Sequence, residues 1–323
     1  MVNRPSDHPD TLDGDFGELL EAVFEGHLDG DGTIGPVEHS GVSTETDGQL
    51  FRSVVRPADV LVLLSVPLVL VGAFAVPLEL RQALAFSYSD PTLLTAFTAN
   101  FVHLNAAHLA ANLAAYALVV PLVYLLSVMG GTRRRFFVVF TVFVLVFPVV
   151  LSTLNLAVAR PGYMVGFSGV TMAFLGFLPL ALSSFLATHF EFGWELDLSA
   201  VLFFVGLALI AVLTVQSLLT VGLAAVALMG AVLYTLPLST SDGGFRPDIR
   251  GAVEVPGFVE LAVAAVVLFA GVLVIAFPAD PVVDVGVVNL YVHLLGFALG
   301  FISTYATVAT MDRLSLTDPR FTG

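Results

Sequence analysis

Val165-Gly166-Phe167-Ser168-Gly169-Val170 opens an apolar run that continues from Thr171 to Ala187. A serine flanked by glycines at the mouth of a hydrophobic helix is an unusual object in a membrane chain. Hydrocarbon penalises an unpaired hydroxyl, and glycine is a poor helix former. Taken alone, the stretch reads first as a small-residue packing face, which membrane helices use often. The second reading makes Ser168 a nucleophile that something must approach closely. The rest of the chain decides between them, by whether it supplies a base and an oxyanion site to go with the serine.

Of the 323 residues, 57% are hydrophobic and only 12% charged, and the mean hydropathy is +0.95. Soluble domains contain about 45–50% apolar residues, so most of this chain cannot face water. The expectation is an all-α polytopic membrane protein. Cysteine is absent, which removes disulfides, thiolate nucleophiles and Cys-ligated metals together. All twelve cations are arginine, and 26 carboxylates bring the formal charge to −14. An acidic, lysine-free surface suits a halophile-like, high-salt cytoplasm, where salt screens the repulsion between carboxylates. No basic patch is present to neutralise phosphates, so no nucleic-acid partner is expected.

Residues 1–58 are polar and acidic, with twelve Asp or Glu and no cation between Arg4 and Arg52. The start lacks a basic n-region and an apolar h-region, so it does not read as a cleaved signal peptide. A segment with so little apolar surface is expected to be a flexible tail. Within it, His27-x-Asp29-x-Asp31-Gly32-Thr33-Ile34-x-x-x-Glu38 follows the spacing of an EF-hand calcium loop. His27 stands where the first Asp belongs and Gly35-Pro36 blocks an exiting helix, so a calcium site is not the expectation.

Apolar segments long enough to span about 30 Å at about 1.5 Å per residue predict helices at 59–78, 103–128, 136–158, 166–187, 198–214, 217–237, 258–277 and 287–310. Leu198 to Leu238 is one apolar run of about forty residues, too long for a single span. It is divided at Thr214-Val215-Gln216-Ser217. The arginines then sort by side. Ten fall together (Arg4, Arg52, Arg56, Arg133, Arg134, Arg135, Arg246, Arg250, Arg313, Arg320), and only Arg81 and Arg160 lie opposite. This predicts about eight spans with both termini cytoplasmic. The organisation is then a tail over 1–58, a membrane domain over 59–312 and a short tail over 313–323.

Polar side chains inside spans are functional candidates by default, and two clusters accompany Ser168. His103-Leu104-Asn105-Ala106-Ala107-His108 opens the second helix, with Asn112 four residues beyond His108 and on its face. His293, followed by Gly296 and Gly300, opens the last helix, its glycines at the small-xxx-small spacing that lets backbones approach. All three clusters are expected near the outer ends of helices running inward, at one depth. As chemistry, Ser168 is the nucleophile and His293 its base. His108, Asn112 and the Ser168 backbone N–H are the oxyanion donors. Gly169, Ala173 and Gly176 facing Gly296 and Gly300 permit the tight crossing this needs. There is no His-Glu-x-x-His, and no span carries a carboxylate near its centre. That removes a paired-aspartate protease and weakens a proton-coupled transporter. Three histidines could bind zinc, but without a carboxylate or water-activating partner no metal or cofactor is expected.

On these residues the chain resembles the rhomboid intramembrane serine proteases. The resemblance rests on His103, His108 and Asn112 at spacings of five and four, on Gly166-Phe167-Ser168-Gly169, and on His293 with Gly296 and Gly300. It covers residues 55–312. It implies a rhomboid-like helical bundle in the cell membrane, here a six-helix core plus an inserted pair. The implied activity is cleavage of transmembrane protein substrates near the outer face by a Ser168–His293 dyad with no third acid and no cofactor. His108, Asn112 and the Ser168 amide then hold the oxyanion, with His103 and Gly166 in supporting positions. Three departures stand out. Three spans separate the serine and histidine helices where the family commonly has one, although the two extra spans preserve parity. Met172 replaces an aromatic residue that often stacks on the catalytic histidine. The first outer loop, Pro77 to Phe101, lacks the Trp-Arg pair often found there. The alternative is a catalytically inactive relative that binds or escorts membrane helices, a class that usually loses the serine or the histidine.

Overall fold

Hydrophobic residues that recur on every side of a segment, with no polar stripe, make a helix that other helices or lipid must cover. The computed structural model describes residues 55–158, 161–190, 193–214, 217–240, 255, 257–283 and 286–317. The acidic segment, the calcium-type spacing at His27 to Glu38, and Arg160, Arg246, Arg250 and Arg320 lie outside the described residues. The elements are α1 (Pro57–Phe74), the short α2 (Leu78–Ala83), β1 (Phe86–Ser87), α3 (Leu93–Thr98), α4 (Ala106–Met129), α5 (Arg133–Leu145) and α6 (Phe147–Leu154). They continue with β2 (Tyr163–Met164), α7 (Ser168–Phe190), α8 (Glu195–Leu213), α9 (Leu218–Thr240), α10 (Phe258–Ala276), β3 (Val282–Val283), β4 (Gly286–Val287) and α11 (Leu290–Thr317).

Among the described residues, seven helices are long and apolar enough to cross a membrane, and α5 with α6 forms an eighth candidate bent by 49°. The chain is a multi-pass helical membrane protein. One straight helix over 136–158 was the expectation from sequence. The structure starts it at Arg133 and breaks it at Val146, because Pro148 lacks a backbone donor and crowds the preceding turn. The apolar run 198–237 is two helices, α8 and α9, packed side by side. The last helix runs to Thr317, so the start of the expected tail at 313–323 is helical.

α7 is the hub. Its apolar window is 89% buried, against 17% for α1, α9 and α10. α4, α8 and α11 pack most extensively around it, with α5 and α10 completing the ring. Phe174 of α7 meets Phe140 and Phe143 of α5 at ring-centroid distances of 5.7 and 5.1 Å. Phe203 of α8 stacks on Phe297 and Phe301 of α11, at 5.4 and 4.1 Å.

Across α7 and α11 the backbones themselves touch. A Cβ added at Gly296 would fall on the Gly169 carbonyl oxygen, one at Gly300 on that of Ala173, and one at Gly176 on that of Phe297. Lipid tails are as apolar as leucine, so helices in a bilayer associate through such close packing and not through a hydrophobic drive. Gly300→Val is therefore expected to destabilise the fold by about 1–3 kcal/mol through overpacking. Gly222→Val and Gly271→Val, where an added Cβ meets nothing within 4 Å, are expected to leave the unfolding temperature in detergent nearly unchanged.

Candidate active site

Asn105 caps α4: its Oδ1 accepts from the His108 backbone N–H at 2.7 Å, satisfying one donor of the open first turn. This leaves His103 just before the helix and sets His108 and Asn112 one turn apart. The Asn112 amide donates to the His108 carbonyl at 2.9 Å. The His103 and His108 rings meet edge to face, with centroids 5.0 Å apart at 70°. Burial, reinforced by the neighbouring His108, pushes the His103 imidazole down to about 4, so it is neutral near pH 7. The Asn112 amide is its polar neighbour. Even so, neither His103 ring nitrogen nor Asn112 Oδ1 completes a hydrogen bond.

The His103 carbonyl is held from the first connection. Arg81 Nη1 donates to it at 2.7 Å and Arg81 Nε to the Val76 carbonyl at 3.0 Å. The guanidinium also lies over the Phe74 ring, 4.3 Å from its centroid. Arg81 thus ties the end of α1 to the start of the histidine segment without the tryptophan of the Trp-Arg pair. In the sequence Arg81 reads only as a charge in a loop.

The Ser168 turn is docked onto this segment by backbone pairing. β1 and β2 are antiparallel, with Phe86 opposite Met164 and Ser87 opposite Tyr163. The Gly166 N–H donates to the Ala99 carbonyl at 2.9 Å. Gly166 has φ of 109°, which side chains disfavour. A Cβ there would lie 2.7 Å from His108 Cε1 and 2.8 Å from Nε2. Two independent constraints therefore demand glycine. Phe167 is fully buried against Phe101 and Tyr116, at 5.5 and 6.1 Å. Its carbonyl accepts the Thr171 N–H at 3.0 Å, so Ser168, Gly169 and Val170 form the first turn of α7. Their N–H groups have no carbonyl one turn earlier in the helix and point toward the positive end of its dipole. Ser168 stays partly exposed between buried neighbours.

His293 approaches from α11, whose first turn is capped by Asn289 Oδ1 accepting from the Val292 N–H at 3.1 Å. His293 is buried, with Nδ1 2.9 Å from the carbonyl oxygen of Ala276, the last residue of α10. A carbonyl only accepts, so Nδ1 carries the proton and Nε2 keeps the lone pair. The Phe277 ring, also buried, meets the imidazole edge to face at 6.1 Å and 80°. The aromatic neighbour of His293 thus comes from the end of α10, while Met172 packs its Cβ against Gly296. Spacing along the chain carries no signal for a carbonyl and a ring that arrive from the preceding helix.

The structure thus gathers His103, His108, Asn112 and Gly166 into one contact group. Ser168 lies at its edge, and His293 lies across the α7–α11 crossing. A Cβ at Gly169 would stand 3.2 Å from Val292 Cγ1, so the residue after the serine abuts the residue before the histidine. No hydrogen bond joins Ser168 to His293 among the described residues. No group of three or more His, Asp or Glu among the described residues could hold a metal ion. No protein-family model, curated protein or solved structure matches the chain. Gly166→Ala is expected to cost about 1–3 kcal/mol through backbone strain and to displace the His108 ring. A lower unfolding temperature together with shifted His108 imidazole NMR signals is the expected outcome.

Proposed function

We propose that this chain is an intramembrane serine endopeptidase of the rhomboid type, cleaving transmembrane substrates near the outer membrane face. One observation carries the reading. On the crossing of α7 and α11, Gly169, next to a serine at an open helix N-terminus, abuts Val292, next to a histidine whose Nδ1 is committed to a backbone carbonyl. Such a histidine has its tautomer fixed for base catalysis at Nε2, the role that an acid fulfils in a Ser-His-Asp triad. The arginine distribution supports cytoplasmic termini and an outward-facing site in the cell membrane.

In the mechanism, a substrate helix unwinds near its outer end and presents an extended peptide bond to Ser168. His293 Nε2 takes the proton from Ser168 Oγ as Oγ attacks the carbonyl carbon. The tetrahedral oxyanion is stabilised by the Ser168 amide with the His108 and Asn112 side chains. The unpaired ring nitrogens of His103 and the unpaired acceptor Asn112 Oδ1 fit a site that water enters. His293 then protonates the leaving amine. Water, deprotonated by the same nitrogen, hydrolyses the acyl-enzyme and restores Ser168. This chemistry uses side chains and backbone alone.

The second reading, a helix-binding relative without hydrolysis, draws on the missing Ser168–His293 hydrogen bond. Labelling with a fluorophosphonate separates the two. Wild-type chain is expected to label at Ser168 and to cleave a reporter transmembrane substrate. Ser168→Ala and His293→Ala are expected to abolish both while remaining folded, and retained hydrolysis in either sinks the proposal. Asn112→Ala is expected to lower kcat by about 10²–10³-fold, the usual cost of one oxyanion donor. Phe277→Leu is expected to lower kcat with little change in KM, because it loosens the base and leaves the substrate contacts alone.

A further inference from the structure

At the far end of α4 from the candidate site lies a polar cluster that the proposed chemistry does not use. Asp59, in the first turn of α1, is buried. Tyr124 of α4 donates its hydroxyl to Asp59 Oδ2 at 2.5 Å, and Arg133 at the start of α5 pairs with the same oxygen. The carboxylate is therefore already engaged by two donors. α1 and α5 both pack on α4 but hardly on each other, and a groove of about 660 Å³ lies beside Asp59. Arg56, Arg133 and Arg134 stand at its mouth, and Phe137, Val138 and Val142 line its length.

The charge in the groove is one-sided. Three guanidiniums and one carboxylate leave two positive charges, in a chain whose formal charge is −14. Arg56 and Arg134 are both exposed. The one hydroxyl in the wall, on Thr141, donates back to the Phe137 carbonyl at 2.8 Å. Arg134, Val138 and Val142 follow one another at four-residue steps, so they form a single strip about 12 Å long on α5. Val138 and Val142 are 57% and 38% exposed. The surface thus has a cationic head and an apolar stem, running from the arginine-rich end of the bundle into its apolar band.

We propose that this groove binds an anionic phospholipid. Its phosphate lies between the Arg56 and Arg134 guanidiniums, whose planar forks suit phosphate oxygens. One acyl chain lies along Phe137, Val138 and Val142. A free phosphate would satisfy the arginines but leave the apolar strip uncovered, and a zwitterionic lipid would bring its own cation to the mouth. Basic pockets between membrane helices bind anionic headgroups on these grounds. The bound lipid bridges α1 and α5, which among the described residues are linked by the Asp59–Arg133 pair and by their common packing on α4.

The test is native mass spectrometry of the full-length chain in detergent at low ionic strength, with equimolar phosphatidylglycerol and phosphatidylcholine. Unfolding temperatures are measured in parallel with each lipid and with inorganic phosphate. Phosphatidylglycerol is expected to be retained about thirtyfold over phosphatidylcholine, from about 1 kcal/mol for each of the two arginines near the membrane surface. It is also expected to raise the unfolding temperature where inorganic phosphate does not. Arg56→Gln with Arg134→Gln, both at exposed positions, is expected to remove the preference. Val138→Trp, which fills the groove and keeps the charges, is expected to reduce retention of phosphatidylglycerol. Equal retention of the two lipids overturns the proposal, as does a preference unchanged in the double variant. Retention unaffected by Val138→Trp, or protection by inorganic phosphate equal to that by the lipid, overturns it as well.

Discussion

Two helices bring their backbones into contact only where side chains are absent from the seam, and α7 and α11 meet in this way. Gly296 and Gly300 lie over the carbonyl oxygens of Gly169 and Ala173, and Gly176 lies over that of Phe297. Every residue from Gly169 to Phe185 is buried, so α7 has no face left for lipid. Among the described residues, three helices long enough to span, α8, α9 and α10, lie between α7 and α11 along the chain. With an odd number between them the two helices run in the same direction, and their first turns lie at the same end of the bundle. Ser168 and His293 are within a turn of those starts. Their proximity is thus a consequence of helix direction and of the glycine seam together.

α10 completes what the crossing begins. A helix ends with carbonyl groups that lack intrahelical partners, and one of these, on Ala276, accepts a hydrogen bond from His293 Nδ1–H. Phe277 closes the other side of the ring. The hairpin of α8 and α9 is attached on the flank, away from the polar groups. Gly206 of α8 makes room for the tips of Phe269 and Phe297, and Phe203 stacks against Phe297 and Phe301. The hairpin is therefore joined to the bundle mainly through α8 packed against α7.

Much of this was legible in the sequence, for definite reasons. The bounds of α7 fall within a few residues of the expectation because Gly166 and Phe190 end a continuous apolar run. The split of the long run at 214–217 follows from membrane thickness alone. The glycines of α7 and α11 could be matched because small residues at four-residue spacing have few other uses in a span. The rest depends on contacts between distant segments. Met172 lies against the backbone of α11 at Gly296, and the ring beside His293 comes from Phe277, a contact that nothing in the local sequence marks. Arg81 anchors the His103 carbonyl across 22 residues, a pairing that local pattern does not encode. Asp59 reads as an ordinary first-turn acid until Tyr124 and Arg133 are brought to it.

Because the chain contains no cysteine, the crossing can be tested by cross-linking against a blank background. Gly169→Cys with Val292→Cys places one thiol beside Ser168 and the other beside His293. Disulfides form when Cβ atoms come within about 3.5–4.5 Å, and an added Cβ at Gly169 lies 3.2 Å from Val292 Cγ1. Mild oxidation of the double variant is predicted to give an intramolecular disulfide, seen by mass spectrometry as a linked peptide pair. Recovery of both thiols in alkylatable form after oxidation, from folded protein, would contradict the close approach of α7 and α11 on which the account rests.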